Sequence, residues 1–418
     1  MERKAINLTV LIEQRLFIIK KIGLWTILIY TKNLGETMRI IHVEDYFDPT
    51  AGYQINELLI ASKETNDQVF LITSDDMSPF HKQVDYKKDK EFEEKTGVRI
   101  IRLGVRFKVS SRLVLKNLRT QIEGIKPNIV FMHGIGDFKD LYLWGKKPNY
   151  IIVRDCHMSW VASKNKLRHL FYMIYRTLFA SIINNTNIYN VIFALGDEEY
   201  EYLKKIGISN KKIDFLPHGY NETIMFYDEK ERENIRLNYG FKEQDIIISY
   251  IGKFNYSKRP DLILDIIDML EMDFIKANRL KLLFIGPKDD LYMKKFNKKV
   301  ENLKGKIPLI IDEVKPFVEL RKYYSASDIC IFPKETTLSS IHAQVCGCPT
   351  IMEDHKSNIE RVVKRKNLFR ENNLVEAAQI LKKIISEKEY LKENNIFIDL
   401  KEREYKKQMQ KLKSIIET

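Results

Sequence analysis

Phe332-Pro-Lys-Glu-Thr-Thr-Leu-Ser-Ser-Ile-His-Ala-Gln-Val-Cys-Gly-Cys-Pro-Thr-Ile351 reads as the end of a buried strand, a polar loop, a short helix and a Gly-x-Pro turn into another strand. A loop and helix start of this kind belongs at the carboxyl edge of a parallel sheet. Free backbone N–H groups and the helix dipole bind nucleotide phosphates there. Thr336, Thr337, Ser339 and Ser340 add hydroxyls and N-cap chemistry to the same loop.

Working outward from this stretch, short β-branched runs alternate with longer amphipathic patterns, which predicts an α/β fold with parallel sheets. In the first half the predicted strands are Ile40–Val43, Val69–Thr73, Arg99–Leu103, Ile129–Met132, Tyr150–Val153 and Val191–Ala194, with helices such as Tyr53–Lys63 and Leu113–Gly124 between them. The pattern restarts at Ile246–Ile251 and continues through Lys281–Ile285, Leu309–Ile311, Ile329–Phe332 and Thr350–Met352, separated by helices such as Pro260–Met272 and Pro316–Ser325. The restart divides the chain into two Rossmann-like units, 38–222 and 223–395, joined near the polar segment Pro217–Glu233. A charged helix follows at 396–418. Residues 1–37 read as an extension outside the core, with an interfacial amphipathic helix or a packed helix as the competing readings.

A length of 418 residues fits two domains. Apolar residues make up 44%, ordinary for a globular protein. The net charge of +13 and pI of about 9.2 favour an anionic partner, whether nucleotide, nucleic acid or acidic membrane. Cys156, Cys330, Cys346 and Cys348 have no Cys-x-x-Cys spacing, so neither zinc nor a disulfide framework is implied and a reduced cytoplasmic compartment is the simple reading. No apolar run is long enough to predict a transmembrane helix.

Gly252-Lys-Phe-Asn-Tyr-Ser-Lys-Arg-Pro260 follows the first strand of the second unit. Gly252 allows a close backbone approach to a ligand, and Lys253 and Lys258 place two cations at that sheet edge. Two fixed cations favour a diphosphate leaving group most in the transition state. A pair of solvated surface lysines is the competing reading.

The opening segment resembles the signature of family 4 glycosyltransferases, "Glu-x7-Glu-Ala-x-x-x-Gly-x-Pro", with His342 at the second glutamate and Glu335 seven residues before it. Gly252–Lys258 resembles that family's "Gly-Arg-…-Lys-Gly" phosphate grip, with Lys253 where Arg is usual. Leu216-Pro-His-Gly-Tyr-Asn221, Phe284-Ile-Gly-Pro287 and Tyr323–Pro333 resemble further family turns in the expected order. The resemblance implies a GT-B fold: two Rossmann-like domains facing a cleft, with a C-terminal helix returning to the first. It also implies transfer of a sugar from a nucleotide diphosphate, with retained configuration. Glu335 then stands for the donor-sugar contact. His342 stands for the ribose contact or, alternatively, packs on its helix. Glu360 sits near a second sugar contact or is simply exposed.

In the first unit Phe47–Glu57 resembles the family's "Pro-x-x-Gly-Gly" loop, which makes Gly52 and Tyr53 acceptor-binding candidates. Met132-His133-Gly134 and Asp155-Cys-His157 each end a strand. They match histidines that the family places near the reacting sugar, so His133 and His157 are the catalytic candidates. The chain has no Asp-x-Asp, the pair that holds a divalent ion in metal-dependent transferases; a metal-free reaction without cofactor is expected. Arg99, Arg102, Arg106, Lys108, Arg112, Lys116 and Arg119 form a basic stretch. Lys164, Lys166, Arg168 and Arg176 with Phe171, Tyr172 and Tyr175 form another. Either suits an anionic membrane at the inner face of the cell or a solvated helix face. A glycan or lipid-linked acceptor in cell-envelope polysaccharide synthesis is the expected partner, and nucleic acid is not. The alternatives are a GT-B sugar-nucleotide epimerase or weakly active homologue, and a basic nucleic-acid-binding protein.

Overall fold

The structure, a computed structural model, describes residues 37–62, 66–157, 168–334, 338–392 and 398–416. The extension expected at 1–37 falls, apart from Thr37, outside them, as do Glu335, Thr336, Thr337, Lys164 and Lys166. Strands β1 (Arg39–Val43), β2 (Gln68–Ser74), β3 (Arg99–Leu103), β4 (Val105–Val109), β5 (Arg112–Leu115), β6 (Ile129–Met132), β7 (Ile151–Cys156), β8 (Val191–Ala194) and β9 (Ile213–Phe215) come first. β10 (Ile246–Ile251), β11 (Leu280–Ile285), β12 (Leu309–Asp312), β13 (Ile329–Phe332), β14 (Thr350–Glu353) and β15 (Leu368–Phe369) follow. Two sheets result. One is seven-stranded, ordered β3-β2-β1-β6-β7-β8-β9; the other is six-stranded, ordered β12-β11-β10-β13-β14-β15. Every neighbouring pair in both is parallel. Their near-continuous apolar strands are buried on both faces, as crossover helices require.

Strand order reverses between β1 and β6 in the first sheet and between β10 and β13 in the second. At such switch points adjacent loops part and leave a crevice beyond the carboxyl ends. Glu44 and His133 follow β1 and β6; Gly252 and Lys334 stand just beyond β10 and β13. The fold thus prepares one crevice per sheet.

The sequence pattern misplaces three elements. Leu113–Gly124 is not one helix: β4 and β5 form an antiparallel hairpin and the helix begins at Leu118. Leu113 and Leu115 are buried with Val114 between them less so, a period of two that the longer amphipathic window obscured. Pro260–Met272 is broken after Asp268, because Leu270 turns inward before a second helix, Met272–Ala277. β7 runs past Val153 to Cys156, since buried Arg154 pairs with Asp140 at 2.7 Å and Asp137 at 3.0 Å and so tolerates the strand interior.

The C-terminal helix Tyr405–Ser414 returns to the first sheet, as expected, and buries Tyr405, Met409 and Leu412 in that sheet's core. Its approach requires Gly219: a Cβ there would lie 1.7 Å from the Arg403 carbonyl oxygen. Tyr405 N–H donates to the Tyr220 carbonyl at 2.9 Å and Gln408 Nε2 to the Pro217 carbonyl at 2.7 Å, which stitches the junction to the returning chain.

Candidate active site

In the second sheet the turns after β10 and β11 lie backbone to backbone. Gly286 has φ +147°, and a Cβ there would fall 2.0 Å from the Gly252 carbonyl oxygen, so only glycine fits. The Tyr250 hydroxyl donates to the Lys253 carbonyl at 2.7 Å, and Phe254 N–H donates to the Pro287 carbonyl at 2.9 Å. Asn255 Oδ1 accepts from Lys258 N–H at 2.9 Å. These bonds fix the backbone of Lys253, which is exposed, and of Lys258, which is half-buried. Arg259 adopts φ +51°, the left-handed conformation for which glycine is the cheap choice. Its guanidinium is spent on Asp261, at 2.7 and 2.9 Å. Lys253 and Lys258 are the other two cations of this turn.

Ser339 and Ser340 begin the helix Ser339–Val345, with Ser340 buried. His342, on its inner side, donates or accepts at 3.1 Å with Glu57 Oε1, while Glu57 Oε2 accepts from Asn221 N–H at 3.1 Å. Glu57 belongs to the helix Gln54–Ala61 after β1, so the bond crosses from one sheet unit to the other. Gly52 makes the neighbouring crossing. A Cβ there would lie 2.2 Å from the Phe317 ring, whereas the exposed Tyr53 stacks on Phe80. Glu360 also crosses: its Oε1 accepts Asp197 N–H at 2.9 Å, and Gly196 leaves the room it needs. Burial first, then the nearby Asp197 and Glu199 charges, push the Glu360 carboxyl up to about 7 against the pull of that N–H. All these contacts come from segments that follow strands, so the carboxyl edges of the two sheets face each other.

The first sheet contributes a histidine cluster. His133 N–H donates to the Val43 carbonyl at 2.9 Å, which ties the ends of β6 and β1 together. Asp155 Oδ2 lies 2.7 Å from His133 Nδ1; Asp155 Oδ1 lies 2.9 Å from His157 Nε2 and accepts Gly134 N–H at 2.6 Å. His133 Nε2 is 2.9 Å from His42 Nδ1, and the two rings are stacked. The side chain of His133 is 2% exposed and that of His157 38%, so His157 is the cluster's face toward the cleft. Burial alone would raise the Asp155 carboxyl; the charge of His157 and the hydrogen bonds from His133 and His157 outweigh it and hold the group well below the usual range. Burial would lower His157, but Asp155 wins and raises it to about 9. Glu44 is raised by burial against the opposing pull of His133, Lys139 and His157. His133, Asp155 and His157 have donor atoms within 4.8 Å of one another, the residue types of a metal site. Asp155 nevertheless gives one oxygen to each imidazole, the pattern of a shared hydrogen-bond acceptor.

The structure thus brings together Gly252, Lys253 and Lys258 on one edge and His133 and His157 on the other, with Gly52, His342 and Glu360 in contacts between the units. Sequence reasoning missed His42, Glu44, Glu57 and Asn221. His42 was visible as a polar residue inside an otherwise apolar buried strand, which demands a partner.

Two sheets with opposed carboxyl edges and a returning C-terminal helix make this a GT-B fold. Residues 231–399 match the family model described as Glycosyl transferases group 1. A capsular polysaccharide biosynthesis glycosyltransferase, CapH, of Staphylococcus aureus is 29% identical over 180 residues, 41% of this chain; the match spans 48% of the relative's length. Anabaena HepE in complex with UDP is similar in fold, with TM-score 0.68 and 11% identity over 90% of this chain and 100% of that one. WaaG, a glycosyltransferase involved in lipopolysaccharide biosynthesis, is similar with TM-score 0.57 and 15% identity, covering 90% and 97% of the two chains.

Proposed function

We propose that this protein is a glycosyltransferase. It moves a sugar from a nucleotide diphosphate, held at the second sheet's edge, to a glycan or lipid-linked acceptor at the first, in cell-envelope polysaccharide synthesis. The observation that carries the reading is that the two carboxyl edges meet through His342–Glu57 and Glu360–Asp197, with the Gly252–Lys258 turn on one edge and the His133–Asp155–His157 cluster on the other. The bond from the sugar's anomeric carbon to the diphosphate oxygen breaks and its electron pair leaves with the nucleotide. The acceptor hydroxyl oxygen bonds to that carbon, and its proton passes to the leaving phosphate oxygen. This front-face course retains configuration. Lys253 and Lys258 neutralise the charge that gathers on the leaving group, the task a divalent ion performs elsewhere. Assays with a panel of nucleotide sugars test the reading. Transfer to a saccharide acceptor is expected, and epimer formation without acceptor would overturn it.

A lipid-linked acceptor also requires access to the inner membrane face. No helix among the described residues is long and apolar enough to cross a membrane. The helix Arg168–Tyr175 and its continuation Arg176–Ala180 leave Leu170, Met173, Ile174 and Leu178 exposed, at successive gaps of three, one and four residues. Arg168, Arg176 and Lys205 flank this row. Such a surface suits anionic lipid, to which each engaged cation contributes about 1 kcal/mol. The basic stretch after β3 offers less than its composition suggests. Arg102 is buried on Asp89, Lys108 pairs with Asp76, and Arg119 pairs with Glu123. Co-sedimentation with phosphatidylglycerol vesicles but not phosphatidylcholine vesicles is expected, and its loss in Met173→Asp/Leu178→Asp. Equal sedimentation of that variant would remove this face from the account.

A further inference from the structure

We propose that His42, His133 and Asp155 form a buried hydrogen-bond chain that fixes His157 as the cleft's charged hydrogen-bond donor, with His42 and Asp155 as positioning residues; this rests on the glycosyl-transfer reading above. Hydrogen accounting assigns the chain. Ionised Asp155 only accepts, so His133 Nδ1 and His157 Nε2 both carry protons toward it, at 2.7 and 2.9 Å. His133 Nε2 must then accept from His42 Nδ1 at 2.9 Å, or else donate to it. His42 Nε2 is buried with no hydrogen-bond partner among the described residues. If His133 donated, that orphaned atom would carry a hydrogen, and an unmet buried N–H costs more than a bare lone pair. The proton therefore lies on His42 Nδ1. Burial, the largest influence, holds His42 in its uncharged form against the weaker pull of Asp155.

Both ring nitrogens of His133 are thus committed, and at 2% exposure it has none to offer a substrate. His42 sets the His133 tautomer, His133 occupies one oxygen of Asp155, and the other oxygen holds His157 protonated. His157 keeps its proton throughout and turns its charge to the phosphate oxygens that gather electrons as the glycosidic bond breaks. Among the described residues, the titratable groups that act on it are Asp155 at the end of β7, His133 beyond β6, Glu44 beyond β1, Glu199 on the helix Asp197–Lys205, and His218 in the turn after β9. The Arg361 charge acts on both Glu199 and His218.

The test is an NMR titration of the intact chain labelled at its 8 histidines, with His157 assigned through His157→Gln. The His157 midpoint is expected near 9 in the wild type and at or below 6.5 in Asp155→Asn. A wild-type midpoint at 6.5, or one unmoved in Asp155→Asn, overturns the proposal. This readout needs no substrate, so it stands or fails separately from the transfer assay. For His42, kcat is expected to fall about tenfold in His42→Leu with KM little changed, and to recover in His42→Asn, whose amide can donate from the Nδ1 position. A folded His42→Leu with wild-type kcat would remove His42 from the chain.

Discussion

Lys258→Ala is expected to lower turnover by roughly tenfold or more, and Lys253→Ala/Lys258→Ala by about 10²–10³-fold, the scale of losing preorganised charge at a developing anion. The effect should fall mainly on kcat. The leaving diphosphate carries more charge in the transition state than in the bound donor, so cations aimed at it discriminate between the two. The surrounding turn predicts a contrast. Arg259, next in sequence, is locked to Asp261 at 2.7 Å, so Arg259→Ala should weaken the fold around the helix Asp261–Asp268 and spare kcat per folded molecule. Steady-state rates on variants matched by circular dichroism measure this. Wild-type turnover in the double variant, or an equal loss in Arg259→Ala, would contradict the phosphate assignment.

His342→Glu is expected to destabilise the protein by about 3–5 kcal/mol, the scale of breaking a buried polar pair and setting two carboxyl groups side by side. The resemblance alone pointed the other way, because glutamate stands at this position in family 4 and a ribose role would tolerate it. In the structure His342 meets Glu57 at 3.1 Å, with side chains 3% and 0% exposed. A second carboxylate there would face the first with no water to screen it. The exchange Glu57→His/His342→Glu should recover most of the loss, and His342→Gln, which keeps a donor at the Nε2 position, should cost about 1 kcal/mol. Denaturant unfolding of the cycle measures the coupling. Full stability of His342→Glu would show that the pair contributes nothing.

Most sheet strands were legible because each is an apolar run bounded by glycine, proline or charge, and the restart at Ile246 marks the second unit; the edge strands β9 and β15 were too short to show a pattern. The hairpin after β3 was not, since basic residues on its open side gave it the look of an amphipathic helix. Lys253, Lys258, His133 and His157 could be found because they directly follow or end strands, where local sequence predicts the sheet edge. Their partners could not. Glu57 and His342 are 285 residues apart, and His42 and His133 are 91 apart. Only the topology that sets β1 beside β6 and closes the two edges together brings such pairs into contact.

Binding of nucleoside diphosphates to the wild-type chain decides whether the second sheet's edge is a nucleotide site. One of UDP, GDP or a related diphosphate should raise the melting temperature, by the equivalent of about 2.7 kcal/mol at a hundredfold excess over Kd. The shift should shrink sharply in Lys253→Ala/Lys258→Ala. No shift with any nucleoside diphosphate, together with RNA or DNA binding that falls steeply with salt, would contradict a nucleotide site and make the excess positive charge a nucleic-acid surface.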